Sequence, residues 1–177
     1  MIIGRAQELK YLNTYYDRTG SQIMVVYGEK NVGKTTLLRQ FVQDKPCYYY
    51  RARSASEREQ RYQWGRELGD EGVKLLKYPS FSEIFHAVGS SKNGKKVIVI
   101  DEFQTIIKSS DDFMKELVNF VHSNWQNGQV MVILCSSSIG WVENSMITKI
   151  GESAYELSGL LKMKELMVKK QYIFIQF

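Results

Sequence analysis

Residues 28–36 read Gly28-Glu29-Lys30-Asn31-Val32-Gly33-Lys34-Thr35-Thr36. This stretch fits the pattern G-x-x-x-x-G-K-[ST], in which a glycine-rich loop between a strand and a helix cradles phosphate groups. An apolar run at residues 23–27 precedes the stretch, and Leu37-Leu38-Arg39-Gln40-Phe41-Val42 follows it, with apolar residues at helical spacing. Because both flanks match, we expect a strand, a phosphate-binding loop and a helix in succession rather than an incidental glycine turn.

The residue types in this loop suit a nucleoside triphosphate carrying Mg²⁺. Gly28 and Gly33 allow a tight turn where a Cβ would clash, so that successive backbone N–H groups point at a phosphate. Lys34 would contact the β- and γ-phosphates near the positive end of the helix, and the Thr35 hydroxyl would ligate Mg²⁺. The expected ligand contacts in the loop are Gly28, Asn31, Val32, Gly33, Lys34, Thr35 and Thr36.

A second motif, which is acidic, contains residues suited to holding Mg²⁺ and activating water. Residues 97–100 form an unbroken β-branched run that ends in Asp101 and Glu102. Asp101 is placed to hold Mg²⁺ through water, and Glu102 to polarise a water that attacks the γ-phosphate. The alternative is a solvated strand end, but a phosphate loop upstream in the same chain favours the catalytic interpretation. Lys34 and Glu102 are therefore candidate catalytic residues.

A further candidate follows the apolar run at residues 130–134. Parallel strands deliver their carboxyl ends to one edge of a sheet, where ligands bind. If this strand lies between the first strand and the Asp101 strand, the Ser136 hydroxyl would contact the γ-phosphate or the attacking water. The alternative is a serine-rich loop or a cap for a helix around residues 141–142.

Strand-like runs alternate with helix-like segments along the chain. We expect helices over 5–17, 54–69 and 113–121, a short helix containing Ile84, and further strands at 47–50, 97–100 and 130–134. This alternation predicts an α/β fold with a doubly wound parallel sheet.

Composition narrows the class of protein. The chain has 177 residues, of which 44% are hydrophobic, enough for one domain with a core. No apolar run reaches membrane-spanning length, and the N-terminus does not resemble a signal peptide. Cys47 and Cys135 lie in apolar stretches, which fits a cytoplasmic location. The net charge of +5 is compatible with nucleic acid but is weak evidence for it.

With these motifs in place, the chain resembles the archaeal-type ATPase family, near the AAA+ and STAND groups of additional-strand, catalytic-glutamate ATPases. Three motifs carry the resemblance: Ile3-Gly4-Arg5 with Glu8 and Leu9, the phosphate loop, and Asp101-Glu102-Phe103-Gln104. It implies a three-layer P-loop NTPase fold whose mainly parallel five-stranded sheet has the order 5-1-4-3-2. It also implies ATP and Mg²⁺ as cofactors, an ATPase core at residues 1–166, and Gly4 and Arg5 as contacts near the adenine. An ordinary helix entry is the alternative for Gly4 and Arg5.

The chain departs from the family pattern in its arginines. None follows Arg66, whereas family members usually carry one after the sensor strand and often another in a helical lid; here that region offers Lys149. Residues 167–177 form an apolar tail, read as the end of a truncated member, as a partner-binding segment, or as an edge strand of the same sheet. We therefore expect ATP hydrolysis to be slow unless a homo-oligomer or a partner protein supplies an arginine. The alternative is a nucleotide-binding switch or interaction module with negligible turnover.

Residues 51–66 contain an arginine cluster. Its members are Arg51, Arg53, Arg58, Arg61 and Arg66. Arginines interleaved with aromatic residues can bind a nucleic-acid backbone and stack on bases. The interspersed glutamates favour a simpler explanation, in which the charges pair along a solvated helix.

Overall fold

The computed structural model describes residues 4–90, 94–123 and 129–166. The strands in these ranges are β1 (Gln22–Gly28), β2 (Cys47–Arg51), β3 (Lys96–Asp101), β4 (Val130–Ser136) and β5 (Gly159–Met163). The α-helices are α1 (Ala6–Tyr16), α2 (Lys34–Phe41), α3 (Glu57–Asp70), α4 (Phe81–Ser90), α5 (Gln104–Ile107), α6 (Phe113–Ser123), α7 (Ile139–Asn144) and α8 (Met146–Ile150). A 3-10 helix spans Gly151–Glu156.

The five strands form one parallel sheet in the order β2-β3-β4-β1-β5. This is the predicted order 5-1-4-3-2 read from the other edge, and it confirms the prediction. Every residue of β1, β3 and β4 is buried, because these near-continuous apolar runs are covered on both faces. Since β4 lies between β1 and β3, the carboxyl ends of these three strands meet at one edge of the sheet.

Helices cover the two faces of the sheet in separate layers. One core cluster packs α1 and α2 against the sheet through Leu12, Leu37 and Phe41. The other packs α3, α4, α6, α7 and α8 against the opposite face, with Phe85 and Phe120 at its centre. The fold is therefore the three-layer arrangement that the resemblance implied.

Local signals placed most elements within a few residues of their observed bounds. Ser56 caps α3 by accepting a hydrogen bond from the backbone of Glu59 at 3.3 Å. The first turn of α4 is held by Ser80 and Glu83, whose side chains bond reciprocally to each other's backbone N–H. The short helices α5 and α8 were not anticipated, because four or five residues give too little periodicity.

None of the helices in the described ranges combines the length and the hydrophobicity of a membrane span. The tail predicted at residues 167–177 lies outside the described ranges.

Candidate nucleotide-binding site

The loop between β1 and α2 has the backbone strain expected of a phosphate cradle. Asn31 and Gly33 both adopt left-handed conformations, with φ of 66° and 96°. Gly33 directly precedes α2 and tolerates this conformation without steric cost. The role of Gly28 differs from the sequence-based expectation: its φ is not positive, and a Cβ there would lie 2.5 Å from the carbonyl oxygen of Met163. Gly28 thus gives β5 room to approach the loop.

Lys34 occupies the first turn of α2, and only 7% of it is exposed. Its ammonium group donates hydrogen bonds to the carbonyl oxygens of Gly28 at 2.8 Å and Glu29 at 2.7 Å. The loop's own backbone therefore holds this cation beside the loop N–H groups. That arrangement suits a polyanion with several negative oxygens.

A cavity of about 340 Å³ connects the loop with the strand ends. Its lining residues are Lys30, Asn31, Gly33, Lys34, Thr35, Thr36, Arg51, Asp101, Glu102 and Ser137. A larger cavity of about 730 Å³ lies beside α6 and the 3-10 helix and shares none of these residues. The smaller cavity collects the charged and polar groups of the predicted site, which makes it the candidate for ligand binding.

Asp101 is the more buried of the two carboxylates that line this cavity, with 5% of the residue exposed. It accepts hydrogen bonds from the hydroxyl of Tyr49 at 2.6 Å and from the backbone N–H of Glu102 at 3.0 Å. The thiol of Cys135, its register partner on β4, also bonds to it. Burial, then the charge and hydrogen bond of Asp101, raise the pKa of that thiol, which therefore stays protonated.

The Tyr49 hydroxyl also forms a hydrogen bond with the hydroxyl of Thr35. One phenol therefore bridges the two residues predicted to hold Mg²⁺. Burial, together with the hydrogen bond and charge of Asp101, raises the pKa of Tyr49 and keeps it a neutral donor. A hydroxyl and a carboxylate brought together in this way fit Mg²⁺, which takes one or two protein oxygens and completes its shell with phosphate oxygens and water.

Glu102 adopts a left-handed conformation with φ of 56°, unusual for a residue with a Cβ. Its carboxylate accepts hydrogen bonds from the Gln104 amide at 2.5 Å and the Ser137 hydroxyl at 2.8 Å. Burial alone would raise the pKa of Glu102, but these hydrogen bonds outweigh it, so the pKa lies below its usual value. Glu102 is therefore an ionised acceptor held in one orientation, and backbone strain of this kind clusters at functional sites.

Ser137, rather than the expected Ser136, lines the cavity. Ser136 is fully buried, and its hydroxyl accepts a hydrogen bond from the backbone of Ser138 at 3.1 Å. Ser136 is the last residue of β4 and remains within the sheet, in register with Tyr27. Ser137 is the first residue beyond the strand, where its hydroxyl reaches Glu102.

Arg5 does not line the cavity, although the resemblance made it a nucleotide contact. Arg5 is buried, with 4% of the residue exposed, and its guanidinium donates a hydrogen bond to the Glu8 carboxylate at 2.7 Å. It also donates to the carbonyl oxygens of Val32 and Lys164, each at 2.8 Å. Arg5 thus ties α1 and the segment after β5 to the phosphate loop, which it supports from behind. Gly4 precedes it with φ of 92°, and neither Gly4 nor Val32 lines the cavity.

Three of the five arginines in the cluster contact other side chains of the protein. Arg53 pairs with Glu67 at 3.0 Å and Arg61 with Glu57 at 3.3 Å, while Arg58 lies 4.6 Å from the centre of the Tyr78 ring. These contacts favour the charge-pairing explanation over a nucleic-acid surface. Arg51 differs, because it ends β2 and lines the phosphate cavity. Lys149, which the sequence suggested in place of a late arginine, lines the 730 Å³ cavity instead.

Sequence reasoning missed Tyr49, Ser137 and the position of Arg51. Tyr49 and Arg51 belong to an aromatic strand that shows no motif, and they reach the site only through the pairing of β2 with β3. The signal for Ser137 was the run of three serines after β4, which left the register open by one residue.

A parallel sheet of this order, with a glycine-rich loop after β1, a buried lysine in that loop's helix and an acidic pair at the end of β3, defines a P-loop NTPase domain. Residues 2–172 match the family described as an ATPase domain predominantly from Archaea. The chain belongs to this family of archaeal-type P-loop ATPases.

One curated relative and several solved structures are similar to this chain. An uncharacterized protein of Methanocaldococcus jannaschii is 26% identical over 96% of the chain, which spans 37% of that relative's length. Among solved structures, the ORC2 protein of Aeropyrum pernix has a TM-score of 0.67 at 16% identity, over 92% of this chain and 48% of that one. A Walker-type ATPase of Pyrococcus abyssi has a TM-score of 0.65 at 19% identity, over 92% and 54% of the two chains. These structural likenesses show the fold.

Proposed function

We propose that the chain binds ATP with Mg²⁺ and hydrolyses it by attack of a water molecule on the γ-phosphate. The observation that carries this proposal is the Glu102 carboxylate, which is held ionised by Gln104 and Ser137 in the same cavity as Lys34. A nucleotide-binding module without hydrolysis would not need a strained, oriented carboxylate beside its phosphate loop.

Each residue has a distinct role in this mechanism. Lys34 and the backbone N–H groups of Asn31 to Thr36 bind the phosphates and compensate their charge. Thr35 and Asp101 would hold Mg²⁺, which would help to neutralise the charge that develops on the phosphate. Glu102 accepts a hydrogen bond from the attacking water and orients it in line with the bond that breaks. Hydrogen bonds from Ser137 and Gln104 hold that carboxylate in its orientation.

Residues 1–166 form the ATPase core in this proposal, and residues 167–177 a C-terminal tail. We place the protein in the cytoplasm, on the evidence of its free cysteines. Turnover by the chain alone is slow, because the core adds no arginine after Arg66. A second copy or a partner protein is a further source of arginine. A hydrolysis rate per chain that climbs with protein concentration would reveal such an assembly.

A nucleotide-dependent switch with negligible turnover is the second candidate, and the early position of all arginines favours it. The substitution Glu102→Gln separates the two. For an ATPase, turnover falls by about 10²-fold or more while ATP binding is retained, because a neutral amide cannot accept the proton of water. Glu152→Gln, at an exposed site on the 3-10 helix, is the matched control. Equal turnover of the wild type and Glu102→Gln would refute hydrolysis at this site.

The DNA-bound ORC1 protein of Aeropyrum pernix shares this fold, with a TM-score of 0.64. Nucleic-acid binding by the present chain is a weaker proposal, because two of the α3 arginines are engaged: Arg61 pairs with Glu57 and Arg58 lies over the Tyr78 ring. A salt titration of DNA binding tests it, since contacts to phosphates lose affinity steeply as salt rises.

A further inference from the structure

Arg51 leaves β2 on the face of the sheet that carries the candidate Mg²⁺ site. It is the last residue of its strand and is in register with Asp101, the last residue of β3. Residues two apart on a strand share a face, so Arg51 and Tyr49 point to the same side. Because Tyr49 contacts Asp101 from that side, Arg51 lies next to this contact and nearer to the open edge.

The backbone that carries Arg51 is held in place. Directly after it, the N–H of Ala52 donates to the carbonyl oxygen of Asp101 at 2.8 Å. The buried side chain of Gln60 accepts a hydrogen bond from the N–H of Arg53 at 3.2 Å and donates one to its carbonyl oxygen. Hydrogen bonds therefore hold the backbone next to Arg51 in place, while the Arg51 side chain is exposed.

The guanidinium of Arg51 has no hydrogen bond or ion pair within the described part of the chain, unlike those of Arg53 and Arg61. It lines the 340 Å³ phosphate cavity together with Lys34 and Glu102. It also lines an adjoining cavity of about 590 Å³, which shares Lys30, Arg51, Glu102 and Ser137 with the first. An uncommitted cation therefore stands at the mouth of the phosphate cavity, on the side of the hydrolytic carboxylate.

We propose that Arg51 binds the γ-phosphate of ATP within its own chain, with Lys30 as a second positive charge at the same opening. This proposal rests on the proposed function, since it assigns a residue to the nucleotide of that site. The γ-phosphate is the group next to the water that Glu102 orients, and Arg51 shares the cavity wall with Glu102. The planar guanidinium can donate two parallel hydrogen bonds to phosphate oxygens, which a lysine cannot do.

This role answers the absence of any arginine after Arg66. The sequence suggested that the missing charge must come from another chain or from Lys149. The structure brings an arginine to the cavity from the end of β2 instead, because β2 pairs with the strand that carries Asp101. Arg51 would therefore distinguish ATP from ADP, since only ATP presents the phosphate that it contacts.

The test compares the affinities of the wild type and Arg51→Ala for ADP and for the non-hydrolysable β,γ-imido analogue of ATP, by calorimetry in the presence of Mg²⁺. Loss of charge-assisted hydrogen bonds should weaken binding of the analogue about tenfold or more and leave ADP within about twofold. Arg51→Lys should recover part of the loss, because it restores the charge but not the fork. Arg66→Ala, an exposed arginine of α3 that lines neither cavity, is the charge-matched control and should change neither affinity.

Two outcomes would overturn the assignment, and they are distinguishable. If the wild type binds both nucleotides and Arg51→Ala loses neither, or loses both equally, Arg51 does not contact the γ-phosphate, while the proposed function stands. If the wild type binds neither nucleotide, the proposed function fails and this inference fails with it. Thermal melting of each variant checks folding, which an exposed side chain without described partners should not affect.

Discussion

The hydroxyl of Tyr49 donates a 2.6 Å hydrogen bond to the Asp101 carboxylate and also bonds to the Thr35 hydroxyl. These three residues come from β2, β3 and the first turn of α2, and they meet only in the folded sheet. Tyr49 therefore interacts with both groups proposed to hold Mg²⁺ and restrains the Asp101 carboxylate. Mutation of a residue that orients a metal ligand typically lowers metal affinity by about 10- to 100-fold.

Replacing Tyr49 by Phe removes this orienting hydroxyl and keeps the ring in place. We expect the Mg²⁺ concentration needed for half-maximal ATP binding to rise about tenfold or more. A Mg²⁺ titration of fluorescent nucleotide binding measures the effect. Tyr155→Phe, at a residue that is 90% exposed, is the control. An unchanged or lower Mg²⁺ requirement would show that Tyr49 does not orient the site.

Removing the Ser137 hydroxyl should shift the pH dependence of hydrolysis. Glu102 acts as a carboxylate, so activity is present above its pKa and is lost as the pH falls through it. Ser137 is one of the groups that lower this pKa, and Ser137→Ala should therefore raise it and move the acid limb of the rate profile to higher pH.

The neighbouring serine provides the comparison for this experiment. Ser136→Ala should leave the acid limb where it is, because the Ser136 hydroxyl bonds to the backbone of Ser138 and does not contact Glu102. Rate profiles of the two variants between acid and neutral pH distinguish the positions. The same shift in both, or a shift in Ser136→Ala alone, would contradict the geometry described here.

Arg5→Ala should weaken ATP and ADP alike and destabilise the fold. The carbonyl oxygens of Val32 and Lys164 would lose a charged donor, and the free energy of unfolding should fall by about 1.5–3 kcal/mol. Urea denaturation measures the loss, and calorimetry the nucleotide affinities. Arg39→Ala, at an exposed position on α2, is the control. A selective loss of ATP over ADP would instead indicate that Arg5 contacts the nucleotide.

Gly28→Ala tests why a glycine stands at the start of the loop. The added Cβ would press on the Met163 carbonyl oxygen, so β5 must shift at a cost of about 1–3 kcal/mol of stability. Gly69→Ala is the matched control, since it lies in α3 with no atom within 4 Å of the added Cβ and should stabilise slightly. Thermal melting compares the two. A Gly28→Ala protein as stable as the wild type would refute the packing argument.

Local sequence predicted the parts of the site that sit in one continuous motif. Lys34, Thr35, Asp101 and Glu102 line or border the cavity because the strand, loop and helix around each are encoded side by side. The strand order came from the resemblance, since nothing in a single apolar run indicates which strand will lie beside it.

The remainder depends on registers between distant segments. Tyr49 and Arg51 reach the cavity because β2 pairs with β3 at a particular offset, which neither strand specifies alone. Ser137 rather than Ser136 lines the cavity because β4 continues through Ser136. A run of three serines does not indicate at which of them the strand ends. The resemblance implies that Arg5 lies near the adenine, but its hydrogen bonds to the carbonyl oxygens of Val32 and Lys164, 27 and 159 residues away, have no signal in the local sequence.

A single nitrogen of Arg5 bonds to the carbonyl oxygens of both Val32 and Lys164. Arg5 therefore links the phosphate loop to the segment that follows β5. A displacement of either one would break or weaken a hydrogen bond to the same nitrogen. A rearrangement of the loop would be transmitted mechanically to residues 164–166. Because β5 is the edge strand beside β1, a change in the loop would displace this edge of the sheet without any ligand contacting it.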